Sequence, residues 1–117
     1  MHGEQLLNYV AEIADDKKAH DPVILNMQGI SVMADYFMIC HGNSEKQVQA
    51  IARGLKEAAA EKDIPVRRME GYDQARWVLV DMGDVIIHIF HRDERDYYKL
   101  EKLWGDAPMI TVENRLL

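Results

Sequence analysis

The stretch from Arg76 to His91 constrains this chain more than any other. Trp77-Val78-Leu79-Val80-Asp81-Met82 and Val85-Ile86-Ile87-His88-Ile89-Phe90-His91 are rich in β-branched and aromatic residues, and only Gly83-Asp84 separates them. Glycine first in a two-residue link signals a type II′ hairpin, because that position needs a positive φ. The short turn also sets the register: Met82 faces Val85, Val80 faces Ile87 and Val78 faces Ile89. Neighbours along a strand point to opposite sides of the sheet. Those six residues therefore form one wholly apolar face, which must be core. The other face carries Asp81 against Ile86, Leu79 against His88 and Trp77 against Phe90. Aromatics mixed with a carboxylate and an imidazole are unusual for a dry core and resemble an interface composition.

The rest of the chain can be placed around this hairpin. Leu6, Leu7, Val10, Ile13 and Ala14 recur at helical spacing, which predicts a helix over Glu4 to Ala19, ended by Asp21-Pro22. Val23 to Met27 reads as a strand. Tyr36 to His41 reads as a second one, its nearly continuous apolar run suiting a strand covered on both faces. Gly42-Asn43-Ser44 breaks that run and opens a helix, with Ser44 and Gln47 at capping-box spacing. The stripe Val48, Ile51, Ala52, Leu55, Ala58, Ala59 carries the helix on, ending before Pro65. A short strand at Val66 to Met69 follows, and strand–helix–strand predicts a parallel crossover. A last helix is expected from Asp93, as N-cap, to Trp104, stopped by Gly105 and Pro108. The expected fold is a single α/β domain over residues 1–108, a mixed five-stranded sheet with helices packed on it. Residues 109–117 are left as a C-terminal tail.

Composition narrows the function. Twenty acidic residues against fourteen basic give a net charge of −6 over 117 residues. Strong binding to bare nucleic acid needs clustered lysine and arginine, so an acidic domain is better suited to a basic protein partner. The single cysteine, Cys40, excludes an internal disulfide and a cysteine-based zinc knuckle. No apolar run approaches the roughly 20 residues of a membrane helix. The opening Met1-His2-Gly3-Glu4-Gln5 lacks the basic and apolar regions of a secretory signal. A cytoplasmic setting, no membrane and little direct nucleic-acid contact are therefore expected.

Few residue patterns point to chemistry. Among His2, His20, His41, His88 and His91 there is no HxxxH or HExxH pair, and His88 and His91 point to opposite faces of their strand. No metal site and no cofactor are expected. Cys40 lies in an apolar run with His41 on the opposite side, and reads as a buried, inert thiol. Gly42-Asn43-Ser44 lacks the lysine of a P-loop, and Asp81 and Asp84 are split by a turn rather than paired for magnesium. A plain capped helix start is the simpler reading of that turn.

Three ordered blocks carry a resemblance to a known family. Asp35-Tyr36-Phe37-Met38-Ile39-Cys40-His41-Gly42-Asn43-Ser44 resembles the first signature of the ribosomal silencing factor family, also called Iojap or YbeB. Glu70-Gly71 precedes the second block, Trp77 through Phe90, which is similar to the central signature. Arg95 and Tyr98-Lys99-Leu100-Glu101-Lys102-Leu103-Trp104 resemble the closing one. His41 stands where the family pattern often has a small polar residue. The resemblance implies a nucleotidyltransferase-like topology without that activity. It also implies binding to the large ribosomal subunit through ribosomal protein number fourteen, which blocks subunit joining and lowers translation when nutrients are scarce. Trp77, Asp81, His88 and Tyr98 are carried over from the matching blocks as partner contacts. Leu79, Glu70 and Glu101 are added from position and charge. The protein is thus expected to be no enzyme, acting by occupancy. The alternative is a small nucleotide-handling enzyme using the Gly42-Asn43-Ser44 turn. A homodimer built on the same hairpin face is a third reading, compatible with the first.

Overall fold

A computed structural model describes residues 2–94 and the backbone of residues 109–110. The elements run α1 (Gly3–Asp16), β1 (His20–Asn26), β2 (Tyr36–Gly42), α2 (Glu45–Glu61), β3 (Arg68–Glu70), β4 (Trp77–Asp81), β5 (Val85–His91) and β6 (Met109–Ile110). The five expected strands all form, in one mixed sheet ordered β3-β4-β5-β2-β1-β6. Met109–Ile110, from the stretch read as a tail, adds a short sixth strand against Ile24 and Leu25 of β1.

The hairpin register is the expected one: Trp77 pairs with Phe90, Val78 with Ile89, Leu79 with His88, Val80 with Ile87 and Asp81 with Ile86. The Met82 amide donates to the Val85 carbonyl at 3.0 Å, closing the turn, and Gly83 has φ +85°. The expected crossover differs in its partner. β2 runs parallel to β5 and not beside β3, which pairs antiparallel with the far side of β4. Burial explains the order. β5 is buried at every position but its last, so it takes a central place, whereas β3 exposes Arg68 and Glu70 and suits an edge.

Both helices cover one face of the sheet. Leu6, Leu7 and Val10 of α1 and Ile51, Ala52 and Leu55 of α2 pack against Met38, Cys40, Val78, Val80, Ile87 and Ile89. Cys40 is fully buried there. Ser44 caps α2 as expected, its hydroxyl accepting the Gln47 amide at 3.1 Å. The Gln47 carboxamide oxygen reaches back to the Asn43 amide at 2.7 Å, one residue before the usual capping-box target.

Helix ends depart from expectation. α1 stops at Asp16, three residues early, because Lys18 turns left-handed (φ +62°) and the Ala19 amide reaches back to the Ala14 carbonyl. This is a Schellman closure without its usual glycine. α2 ends the same way, with Asp63 at φ +55° and the Ile64 amide on the Ala59 carbonyl. β1 begins earlier than expected, at His20, and its register shifts before Val23. The irregularity accommodates Pro22, which cannot donate to a ladder. At the start of the last helix, residues 92–94 are already helical. The His91 ring nitrogen Nδ1, rather than the expected Asp93, serves the cap, accepting the Asp93 amide at 3.3 Å. The rest of the expected helix, to Trp104, lies outside the described residues.

Candidate functional site

The second face of the sheet is where the sequence places the interface. Its rows run across the strands: Arg68, Asp81, Ile86, Phe37, Leu25; then Glu70, Leu79, His88, Ile39, Val23; then Trp77, Phe90, His41, His20. The middle of this face is core, not open surface. Leu25, Met27, Phe37, Ile39, Ile86 and Phe90 form a second buried cluster. This corrects the expectation of an aromatic patch lying bare along the hairpin. Alternation assigns a residue to a side of the sheet but does not say whether that side is covered.

Exposure survives toward the β3–β4 edge. Trp77 and Leu79 are half-buried and Glu70 is exposed. With Gly71 they line a surface concavity of about 330 Å³. Three of the expected contact residues therefore meet on one ledge, because Glu70 lies opposite Leu79 in register and Trp77 follows two residues up the same strand face.

Asp81 and His88 sit behind that ledge. Asp81 is 7% exposed and His88 4%. One Asp81 oxygen, Oδ1, accepts the Gly83 amide at 2.9 Å and so braces the hairpin turn. The other, Oδ2, is 3.5 Å from Nε of Arg68, whose Nη1 lies 2.8 Å from Glu70. The Trp77 indole N–H donates to His88 Nδ1 at 3.1 Å. An imidazole that accepts there is neutral and carries its proton on Nε2. Burial enforces the same state, lowering the His88 pKa from 6.5 to about 4. Phe37 meets the His88 ring edge-on at 4.9 Å, and Phe90 lies 5.0 Å from the Trp77 ring. Asp81 and His88, expected as contacts, are thus too buried to present their side chains. They hold the ledge in position. Tyr98 and Glu101 lie outside the described residues.

The loop that delivers Trp77 carries no recognisable local sequence signal. Gly71 adopts φ +82°, and a side-chain carbon there would overlap the Trp77 carbonyl. The Gly71 carbonyl accepts the amide of Ala75, which is buried at φ +55°. From α2, Gln49 donates to the Tyr72 carbonyl at 3.0 Å and Arg53 to the Tyr72 hydroxyl at 2.8 Å. Arg68 was missed as well, although its place two residues from Glu70 on a charged strand was a usable signal.

The Gly42-Asn43-Ser44 turn is occupied as a helix start. Ser44 is spent on the cap, and a carbon on Gly42 would come within 2.9 Å of the Val48 nitrogen. Among the described residues no group of three or more His, Cys, Asp or Glu is placed to hold a metal ion. No helix among them is long and apolar enough to cross a membrane.

A mixed sheet with helices on one face and a half-open apolar and acidic ledge at its edge defines a small α/β domain that presents a surface. The family model described as "Ribosomal silencing factor during starvation" matches residues 1–116. The chain belongs to the ribosomal silencing factor family. It is 61% identical to the ribosomal silencing factor of Halalkalibacterium halodurans, over 97% of both chains. It is 59% identical to that of Bacillus subtilis, over 97% of this chain and 96% of the relative. A crystal structure of a Bacillus halodurans protein superposes with a TM-score of 0.84 at 58% identity, covering 93% of this chain and 99% of the other.

Proposed function

We propose that this protein silences ribosomes by occupancy, without catalysis. In this reading it binds the large subunit in the cytoplasm through ribosomal protein number fourteen. There it obstructs the small subunit and represses translation under nutrient limitation. The observation that carries the reading is the ledge of Trp77, Leu79 and Glu70 at the β3–β4 edge, half-open and rigidly backed. A tryptophan anchor among neutral apolar groups, with an acid at the rim, suits a protein surface that is itself basic. The net charge of −6 disfavours rRNA and favours such a partner. A standard interface of roughly 800 Å² per partner would suffice, since blocking requires only that the face be filled. Tyr98 and Glu101 belong to the same proposed contact set. Self-association through the ledge would compete with the ribosome for it.

The test is subunit joining. Purified protein is mixed with large subunits, small subunits are added, and sucrose gradients resolve the products. The reading expects the protein in the large-subunit peak and fewer joined ribosomes. Folded protein that stays at the top of the gradient, with joining undiminished, refutes it.

A further inference from the structure

The β1–β2 loop, residues 27–35, lies at the opposite end of the sheet from Trp77, beside the Gly83-Asp84 turn. The Asp35 and Tyr36 amides both donate to the Asp84 carbonyl, at 2.9 and 3.0 Å. Phe90, the partner of Trp77, is five residue steps along β5 from Val85. At about 3.3 Å per residue the loop and the ledge stand roughly 17 Å apart along the strands.

This loop places three large apolar side chains in water within four residues: Ile30 at 46% exposure, Met33 at 58%, and Val32 fully exposed. Single exposed apolar residues are ordinary, but a cluster on a braced loop marks an interaction site. The bracing is internal. The Ile30 and Ser31 amides share the Met27 carbonyl, Asn26 Oδ1 accepts the Gln28 amide, and Ser31 Oγ accepts the Met33 amide. The Met27 amide closes the loop on the Asp35 carbonyl at 2.8 Å. The apolar tips are therefore held out at little further entropic cost to a binding event.

Charge selects the occupant. From Ala19 to Glu45 the chain has no lysine or arginine, and Asp35 stands at the loop's base, while the neighbouring Asp84 turns its carboxylate to the Gly3 amide at 3.0 Å and lies 3.5 Å from His2 Nδ1. Arg67 approaches the same turn only from the β3 side, against Gly83. A loop with an acid at its base and no cation in its own stretch of chain disfavours phosphate, whether of RNA or lipid. A second copy meeting tip to tip would set Asp35 against its own duplicate. A protein pocket with a cationic rim satisfies both features.

We propose that Ile30, Val32 and Met33 form a second docking element, inserting into an apolar pocket bordered by lysine or arginine on a protein of the large ribosomal subunit. The proposal rests on the ribosome-binding reading above and adds a contact point remote from the Trp77 ledge.

Two measurements on the full chain with purified large subunits test it. A benzophenone side chain placed at position 32 is irradiated in the complex, and the cross-linked species is identified by mass. The triple variant Ile30→Ser, Val32→Ser, Met33→Ser is titrated against the same subunits. The proposal expects a cross-link to a ribosomal protein and an affinity loss of about tenfold or more in the triple variant, with its melting temperature unchanged. A cross-link only to rRNA or to a second copy, no cross-link, or unchanged affinity in the triple variant overturns it. Wild-type protein that fails to bind large subunits overturns the ribosome reading and this inference together. Wild-type binding with an indifferent triple variant overturns this inference alone.

Discussion

His88 predicts a specific loss of stability in acid. Its ring is buried, accepts a hydrogen bond from Trp77, and has a pKa lowered from 6.5 to about 4. In the unfolded chain the imidazole protonates near 6.5, whereas in the folded chain it resists protonation until pH about 4. Between those values the unfolded state binds more protons, so stability falls as pH falls. The stabilisation is fully present above pH 6.5 and is progressively lost toward pH 4. Linkage puts the loss between pH 7 and pH 5 at about 2 kcal/mol, and at about 3 kcal/mol by pH 4. Other groups titrate in this range too, so the contrast is made with His88→Asn, whose side-chain oxygen can still accept from Trp77 but does not titrate. Urea unfolding followed by circular dichroism at several pH values gives both curves. The wild type should lose about 2 kcal/mol more than the variant between pH 7 and pH 5. A ring that titrates near 6.5 by NMR, or parallel curves for the two proteins, would refute the buried, neutral acceptor.

Three further substitutions probe the supports of the ledge. Asp81→Ala removes the acceptor for the Gly83 amide and the partner of Arg68, and should cost about 1–3 kcal/mol in chemical unfolding, with Asp81→Asn less damaging. Gly71→Ala combines a positive φ with overlap on the Trp77 carbonyl; it should cost about 2 kcal/mol or more and shift the tryptophan fluorescence, and a neutral result would contradict the loop geometry. Ser44→Ala should lower stability by about 1 kcal/mol through loss of the α2 cap, measured by thermal melting.

The parts of this fold legible in the sequence are those where local chemistry admits one solution. Gly83-Asp84 between two apolar runs set the hairpin and every pair along it, and with it the row that joins Leu79 to His88 and Trp77 to Phe90. Ser44 with Gln47 marked the start of α2. The helix ends were hidden because Lys18 and Asp63, not glycines, occupy the left-handed positions. The parallel partner of β2 was hidden because pairing of distant strands depends on which edges remain free, and only the burial of β5 shows that it must be central. At the site, the hairpin register put Leu79 and Trp77 on one face, whereas the pairing of Glu70 opposite Leu79 comes from β3 running antiparallel beside β4, which local patterns do not reveal. The burial of Asp81 and His88 was beyond reach, because alternation carries no information about what lies over a face. The role of Gly71 was equally hidden, since it depends on a close approach to a carbonyl six residues away in sequence.

The proposed role of the Trp77–Leu79–Glu70 ledge is to grip the large ribosomal subunit. The most direct measurement is the dissociation constant for purified large subunits of the wild type, Trp77→Ala and Glu70→Lys, each first shown to be folded by circular dichroism. Loss of a central tryptophan worth about 2 kcal/mol should weaken binding roughly thirtyfold, and the charge reversal at the exposed rim should weaken it further at low salt than at high. Equal dissociation constants for all three folded proteins would contradict that role.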